Sequence, residues 1–311
     1  MTRIMHATDV HGSKVVWKKF LRSGLDNDCD VIMMSGDLTG KAITAIIERK
    51  PGEWFCDVYG SDRVIRSKEE LERFMDMSRG RGHYPFVTTS EELQELQGAQ
   101  KKVDALFVRL VKESLRQWLK LVEERVPRRV KVILNPGNDD SMSVDSLIKE
   151  SDRVIYPLGE VVQIDDRYEM ISCAWSNPTP WKTPRECDEE ELYRKLEKDF
   201  NRVSNYDNLI CNFHAPPYNT KLDLAPKLTK DLKPVTRGGM PFMIHVGSTA
   251  VRKSIEKYHP VLGLHGHIHE SSGFERLGRT LCINPGSEYE SGIMRGYVIN
   301  LPKLSFYRVE G

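Results

Sequence analysis

Seven side chains with the chemistry of metal ligands stand in short motifs scattered along the chain. They are Asp9 and His11 in TDVHG, Asp37 in SGDLTG, Asn138 in PGNDD, His214 in FHAPP, and His267 and His269 in LHGHIHES. The chain has nine histidines, and three of them, His265, His267 and His269, alternate within five positions. Imidazole mixed with carboxylate and carboxamide oxygen suits manganese, iron, zinc, cobalt or nickel better than calcium. One tetrahedral ion takes four ligands, so seven donors are too many for a single ion. Two ions sharing a bridging carboxylate would use all seven. Two ions about 3.5–4 Å apart are the layout that clamps attacking and leaving oxygens in phosphoryl transfer.

The donors follow runs that read as buried strands. RIMHAT (3–8) precedes Asp9, DVIMMS (30–35) precedes Asp37, and VKVILN (130–135) precedes Asn138. NLICNF (208–213) precedes His214, and VLGLHG (261–266) leads into His267 and His269. TLCIN (280–284) is a further candidate strand. Ligands in open α/β sheets bind just beyond the carboxyl ends of the strands, so these donors are expected to converge on one crevice. Residues 99–125 repeat Val103, Leu106, Phe107, Leu110 and Val111 at helical spacing, and Pro127 stops the helix. A second helix is expected over 249–258, with Ser248 as N-cap. The alternation of strands and helices predicts an α/β fold. Residues 41–97 break the rhythm. They read as strands around a Pro-Gly and a Gly-Ser turn, then helices opening on Ser67 to Glu70 and Thr89 to Glu92 capping boxes. The expectation is one domain, 1–311, carrying an inserted α+β segment at about 41–97.

Composition narrows the function classes. With 46 basic and 45 acidic residues, overall charge gives no argument for nucleic acid or an anionic membrane. No apolar run approaches the roughly 20 residues of a membrane span. MTRIMHATDVHG has no apolar core of signal-peptide length. Six scattered cysteines without a CxxC pair suit a reduced, cytoplasmic protein.

The ordered series DVH, GDLTG, PGNDD, a lone histidine after a strand, and GHIH resembles the calcineurin-like metallophosphoesterase superfamily. The motifs span residues 9 to 269. GHIH followed by INPGSEYESGIMRG is similar to the small predicted phosphoesterases of its bacterial and archaeal branch. The resemblance implies two central mixed β-sheets flanked by helices, an α/β/β/α sandwich. It implies that Asp9, His11 and His269 hold one ion, that Asn138, His214 and His267 hold the other, and that Asp37 bridges. It implies two divalent transition-metal ions, manganese first and iron, zinc, cobalt or nickel as alternatives. The activity implied is hydrolysis of a phosphomonoester or phosphodiester by a metal-bound hydroxide, with a phosphorylated small molecule or nucleotide as substrate.

Two positions invite separate readings. The family usually has histidine after Gly137-Asn138, where it protonates the leaving oxygen; here Asp139 and Asp140 follow. An aspartate is mostly ionised at neutral pH, and nearby dications push its pKa further down, so Asp139 is expected to be a poor general acid unless its pocket is very apolar. His265 lies outside the family's ligand set. If the segment is extended, alternate residues share a side and His265 points into the site as a substrate-touching or ligand-steadying group; the alternative is a buried, hydrogen-bonded histidine. Arg295 could pair with a phosphate or sit in a surface salt bridge. Trp181 could rim the site or belong to a Pro-stiffened loop. Tyr218 and Asn219, in the segment after His214, are candidate substrate contacts. His6 reads as core. The rival class is a non-catalytic metal-binding scaffold for protein partners; a scaffold need not keep ligands, yet all seven are present. A nuclease would need a basic groove, and the one basic cluster, RVPRRVK (125–131), has no interleaved aromatics.

Overall fold

Side-chain alternation along the first strand decides where it sits. In Thr2–Ala7, Ile4 enters one apolar core while Met5 and Ala7 enter another. A strand buried on both faces must lie between layers, and so do its neighbours Val31–Ser35 and Lys131–Asn135. A computed structural model describes residues 1–58 and 60–311. Tyr59, within the segment expected to form strands around the Gly-Ser turn, lies outside the described residues.

The first sheet runs, edge to edge, Ser305–Glu310, Arg295–Leu301, Thr2–Ala7, Val31–Ser35, Lys131–Asn135. The last three are parallel and the first two pair antiparallel. The second sheet runs Gly273–Leu277, Thr280–Asn284, Leu262–Leu264, Leu209–Phe213, Glu169–Cys173, Val162–Gln163, with four parallel inner strands and antiparallel edges. Ile4, Met33 and Ile133 of the first sheet meet Met170, Ile210, Leu264 and Ile283 of the second. The outer face of the first sheet packs on helices Lys14–Asp26 and Gln100–Arg125 through Trp17, Phe20, Leu115 and Trp118. The outer face of the second packs on Glu189–Phe200 and Thr249–Tyr258 through Leu192, Leu196, Phe200 and Ile255. The result is an α/β fold of two mixed sheets flanked by helices. Trp17 is fully buried and stacks on Trp118 at 4.7 Å, so Trp17→Ala is the sort of truncation that costs about 3–5 kcal/mol.

The expected caps form. Ser248 Oγ accepts from Val251 N at 3.1 Å, and Thr89 with Glu92 closes a reciprocal box. Ser67 also caps, but Glu70 turns its carboxylate to the Arg66 N–H instead. The six expected strands are present to within one or two residues, whereas Glu169–Cys173, central to the second sheet, is an addition to that set. Between the first sheet's second and third parallel strands stands a smaller sheet, ordered Ser61–Ile65, Glu53–Val58, Ala42–Lys50, His83–Thr88. Helix Lys68–Gly80 covers it, with its own core of Ile46, Trp54, Cys56, Ile65, Leu71 and Phe74. All six cysteines are free, and among the described residues no helix is long and apolar enough to cross a membrane.

Candidate metal centre

The donor loops begin where the parallel strands end. Asp9, His11, Asp37 and His267 all have left-handed backbones, with φ of 53°, 40°, 43° and 69°. Such conformations cost non-glycine residues about 1–3 kcal/mol each and persist where the surroundings over-determine them. Here the first two loops lock together: Asp9 N–H donates to Gly36 O (3.1 Å), His11 N–H to Asp37 O (2.9 Å) and Gly12 N–H to Leu38 O (2.9 Å). Asp140, fully buried, joins the third loop to the second. Its oxygens accept from Leu38 N, Thr39 N, Thr39 Oγ1 and Gly137 N at 2.7–2.9 Å. Gly36 is required by close approach as well as by its φ of 99°, since a Cβ there would stand 1.8 Å from His214 Nδ1.

Six of the seven expected donors fall into two groups of potential ligand atoms, Asp9–His11–His269 and Asp37–His214–His267. Asp37 faces both groups: Oδ2 lies 3.6 Å from His11 Nε2, and Oδ1 lies 3.4 Å from His214 Nε2. Asn138, the seventh, turns Oδ1 to His214 Nε2 at 2.9 Å. Its amide orientation is fixed from the far side. Nδ2 donates to Thr183 Oγ1 (2.8 Å), whose hydroxyl donates to Glu186 Oε1 (2.6 Å). A third group, His11–Asp37–Asp139, brings in Asp139 as a further potential ligand.

The donor set is suited to a cation. His11 Nε2 and His269 Nε2 point at each other across 3.1 Å beside Asp9. His214 Nε2 is surrounded by oxygens of Asn138, Asp37 and Asp9 within 3.9 Å. Buried carboxylates packed this way need compensating positive charge. With protons alone, burial would raise Asp9, but the His269 hydrogen bond and the His269 and His214 charges outweigh it and hold Asp9 at about 2. Burial would lower His214, but the Asp37 charge and hydrogen bond push it up to about 9, so positive charge is favoured where these oxygens converge. Burial pulls His11 down to about 3 and His267 to about 4, leaving neutral imidazoles with lone pairs to give. These buried aspartate and histidine groups could hold metal ions.

The structure bears on the two positions with open readings, His265 and Asp139. The strand of the second sheet ends at Leu264, and the left-handed His267 breaks any extended run through 265–269. His265 therefore does not share the face of His267 and His269. It is fully buried, its Nδ1 donates to Phe213 O (2.9 Å) and Ala215 O (3.1 Å), and burial pulls its pKa down to about 4. It braces the site from beneath. Asp139 is only 12% exposed. Burial first, then the Asp37 charge, push it up to about 6 against the opposing charge of Lys41, with which it forms an ion pair.

Of the secondary candidates, Arg295 pairs with Glu288 and Glu310 in a salt bridge. His6 is core, with Nε2 on His265 O. Trp181 is 61% exposed, and Tyr218 packs edge-on against His245. Residues that sequence reasoning missed are Lys41, Arg81 and Tyr289. Tyr289 lies 4.6 Å ring to ring from His11. With Glu290 and Ser291 it lines both a cavity of about 280 Å³ reaching His11 and one of about 450 Å³ reaching His269. Lys41 directly follows GDLTG, a signal visible in sequence; nothing in the spacing marks Arg81 or Tyr289.

No protein-family model matches the chain. Uncharacterized protein MJ1162 of Methanocaldococcus jannaschii is 35% identical over 158 residues, 50% of this chain and 64% of that protein. The chain thus spans less than two thirds of that relative. One crystal structure covers 99% of this chain and 98% of its own at 14% identity, with a TM-score of 0.59. The crystal structure of TT1561 of Thermus thermophilus gives the same coverage and identity with a TM-score of 0.52. These likenesses speak for the fold alone. A structure described as a novel archaeal phosphodiesterase scores 0.34, too low to carry an argument.

Proposed function

We propose that the chain is a dinuclear metal-dependent phosphoesterase of the calcineurin-like superfamily, hydrolysing a phosphomonoester or phosphodiester. The observation that carries this reading is Asp37, whose two oxygens face two separate aspartate–histidine groups. Asp9, His11 and His269 would hold one ion, Asn138, His214 and His267 would hold the other, and Asp37 would serve both. When bound, the pair of ions supplies charge neutralisation at the phosphoryl group and an acidified water. The chain's own residues do the positioning. Glu186 and Thr183 keep the Asn138 oxygen turned inward, and Asp140 ties its loop to that of Asp37. Asp139, at the rim in an ion pair with Lys41 and raised by burial and the Asp37 charge, is the candidate to serve the leaving oxygen. A scaffold reading has no use for donors buried this completely, since each costs stability unless compensated. On the same reading residues 1–311 act as one cytoplasmic unit with an insert at about 41–97. Its substrate is a phosphorylated small molecule or nucleotide, and manganese is the first metal to test.

Elemental analysis after manganese loading should find two ions per chain. Asp37→Asn should impair both and lower turnover on phosphoesters by about 10³-fold, because several kcal/mol of metal-derived stabilisation are lost. One ion or none in the wild type overturns the dinuclear reading; two ions with no turnover on phosphomonoesters or phosphodiesters favours the scaffold.

A further inference from the structure

The insert reaches His11 at two places. The cavity of about 280 Å³ beside that histidine is lined by Lys41 and Ala42 at the insert's entry, Arg81 to His83 in the turn between helix Lys68–Gly80 and strand His83–Thr88, and Tyr289 to Ser291 from outside the insert. The junction is close-packed, for a Cβ at Gly82 would stand 2.0 Å from His11 O, and Ser13 Oγ bonds Gly80 O. Arg81 is therefore anchored at a fixed place relative to the cluster. Its guanidinium has no carboxylate partner among the described residues. Lys41 is held above the ordinary lysine range, burial notwithstanding, by Asp139. Glu290 is the one carboxylate on the cavity wall, and it accepts from Tyr289 Oη at 3.3 Å. The neighbouring cavity has the opposite character, with Glu270, Glu288 and Glu290 on its wall and its one arginine, Arg295, already paired.

We infer that the cavity between the insert and Tyr289 binds a second phosphate group of the substrate, with Arg81 as the anchoring cation, so that the substrate class is a small phosphoester carrying another phosphate beyond the scissile one. This rests on the phosphoesterase reading. An arginine fork matches phosphate geometry with two parallel donors, and an unpaired one in a cavity has donors to spare. The cavity is at the small end of the roughly 300–1,000 Å³ that ligand pockets span, which suits a compact phosphorylated group and excludes a polynucleotide strand. Lys41 contributes charge but is shared with Asp139, so Arg81 carries the discrimination.

The test compares propyl phosphate with propane-1,3-diyl bisphosphate, titrated calorimetrically into the protein with and without manganese. Wild type should bind the bisphosphate at least about 10-fold more tightly. Arg81→Ala should lower that preference roughly 10- to 100-fold, the usual worth of charged hydrogen bonds, and Arg81→Lys should restore part of it. A preference near one in wild type, or one that Arg81→Ala does not move, overturns the assignment. Failure of the hydrolase reading is distinguishable: turnover is then absent while the Arg81-dependent preference persists.

Discussion

The floor of the cleft and the wall opposite it differ in how they hold charge. Asp9, His11 and His214 are fully buried at the ends of parallel strands, and loop backbones interlock around them. Across from them Lys41 is 56% exposed and Arg81 is exposed, both carried on a small sheet with its own core. Charge in the floor has been taken out of water and is compensated only by its neighbours, so each member depends on the rest. Charge on the insert keeps more of its hydration, although Lys41 is paired with Asp139. The contrast separates two tasks. A dry, over-determined floor suits chemistry that tolerates little displacement, and a wet wall suits recognition that can be altered one side chain at a time.

Substitutions graded from floor to wall can break that contrast. Asp139 stands at the border. If it delivers a proton, Asp139→Asn should slow hydrolysis of alkyl esters by about 10²–10⁴-fold while sparing activated aryl esters. Rates across a series of leaving groups check this, and an equal loss on both kinds of ester would return Asp139 to a ligand or purely structural role.

Beneath the floor, burial pulls His6 from 6.5 down to about 4. Below pH 6.5 the unfolded chain takes up a proton that the folded chain refuses, so stability falls as pH drops through this window. The loss reaches about 3 kcal/mol by pH 4. His6→Gln should remove that portion of the acid sensitivity, read as a smaller difference in urea midpoint between pH 7 and pH 4.5. Parallel losses in both proteins would show that His6 is protonated in the folded state.

The smallest effect belongs to the outer edge of the insert. Lys50 and Glu53 form a 3.5 Å pair with the lysine 67% exposed. Lys50→Ala should change stability by less than about 1 kcal/mol, measured by thermal melting. A larger effect would mean that the insert's charges are coupled as tightly as those of the floor.

What the sequence makes legible follows the same division. Strand ends can be read because apolar runs stop abruptly at polar motifs, so Asp9, Asp37, Asn138 and His214 stand out. The helix at Thr249–Tyr258 was legible from a serine and an amphipathic stripe. Glu169–Cys173 was not, because MISC lacks a strong β-branched run although it pairs in mid-sheet. His265 stayed open because spacing by two implies one face only where the backbone stays extended, and the left-handed turn at His267 has no sequence marker. Asp139 stayed open because its pKa depends on burial and on Asp37, two features of the folded arrangement. Arg81 is one basic residue among 46 in a charge-balanced chain, and only the return of the insert to His11 distinguishes it.

The tight seam between Gly82 and the His11 carbonyl has a bearing on how such a protein can be altered. A hinge there would let the insert swing and carry the metal ligands with it. A seam without slack lets the outer hairpins and the residues at positions 41 and 81 be exchanged while the loop bearing His11 stays in register. New substrate preferences can then be grafted onto an unchanged reaction centre, provided that the glycine at the root is left alone.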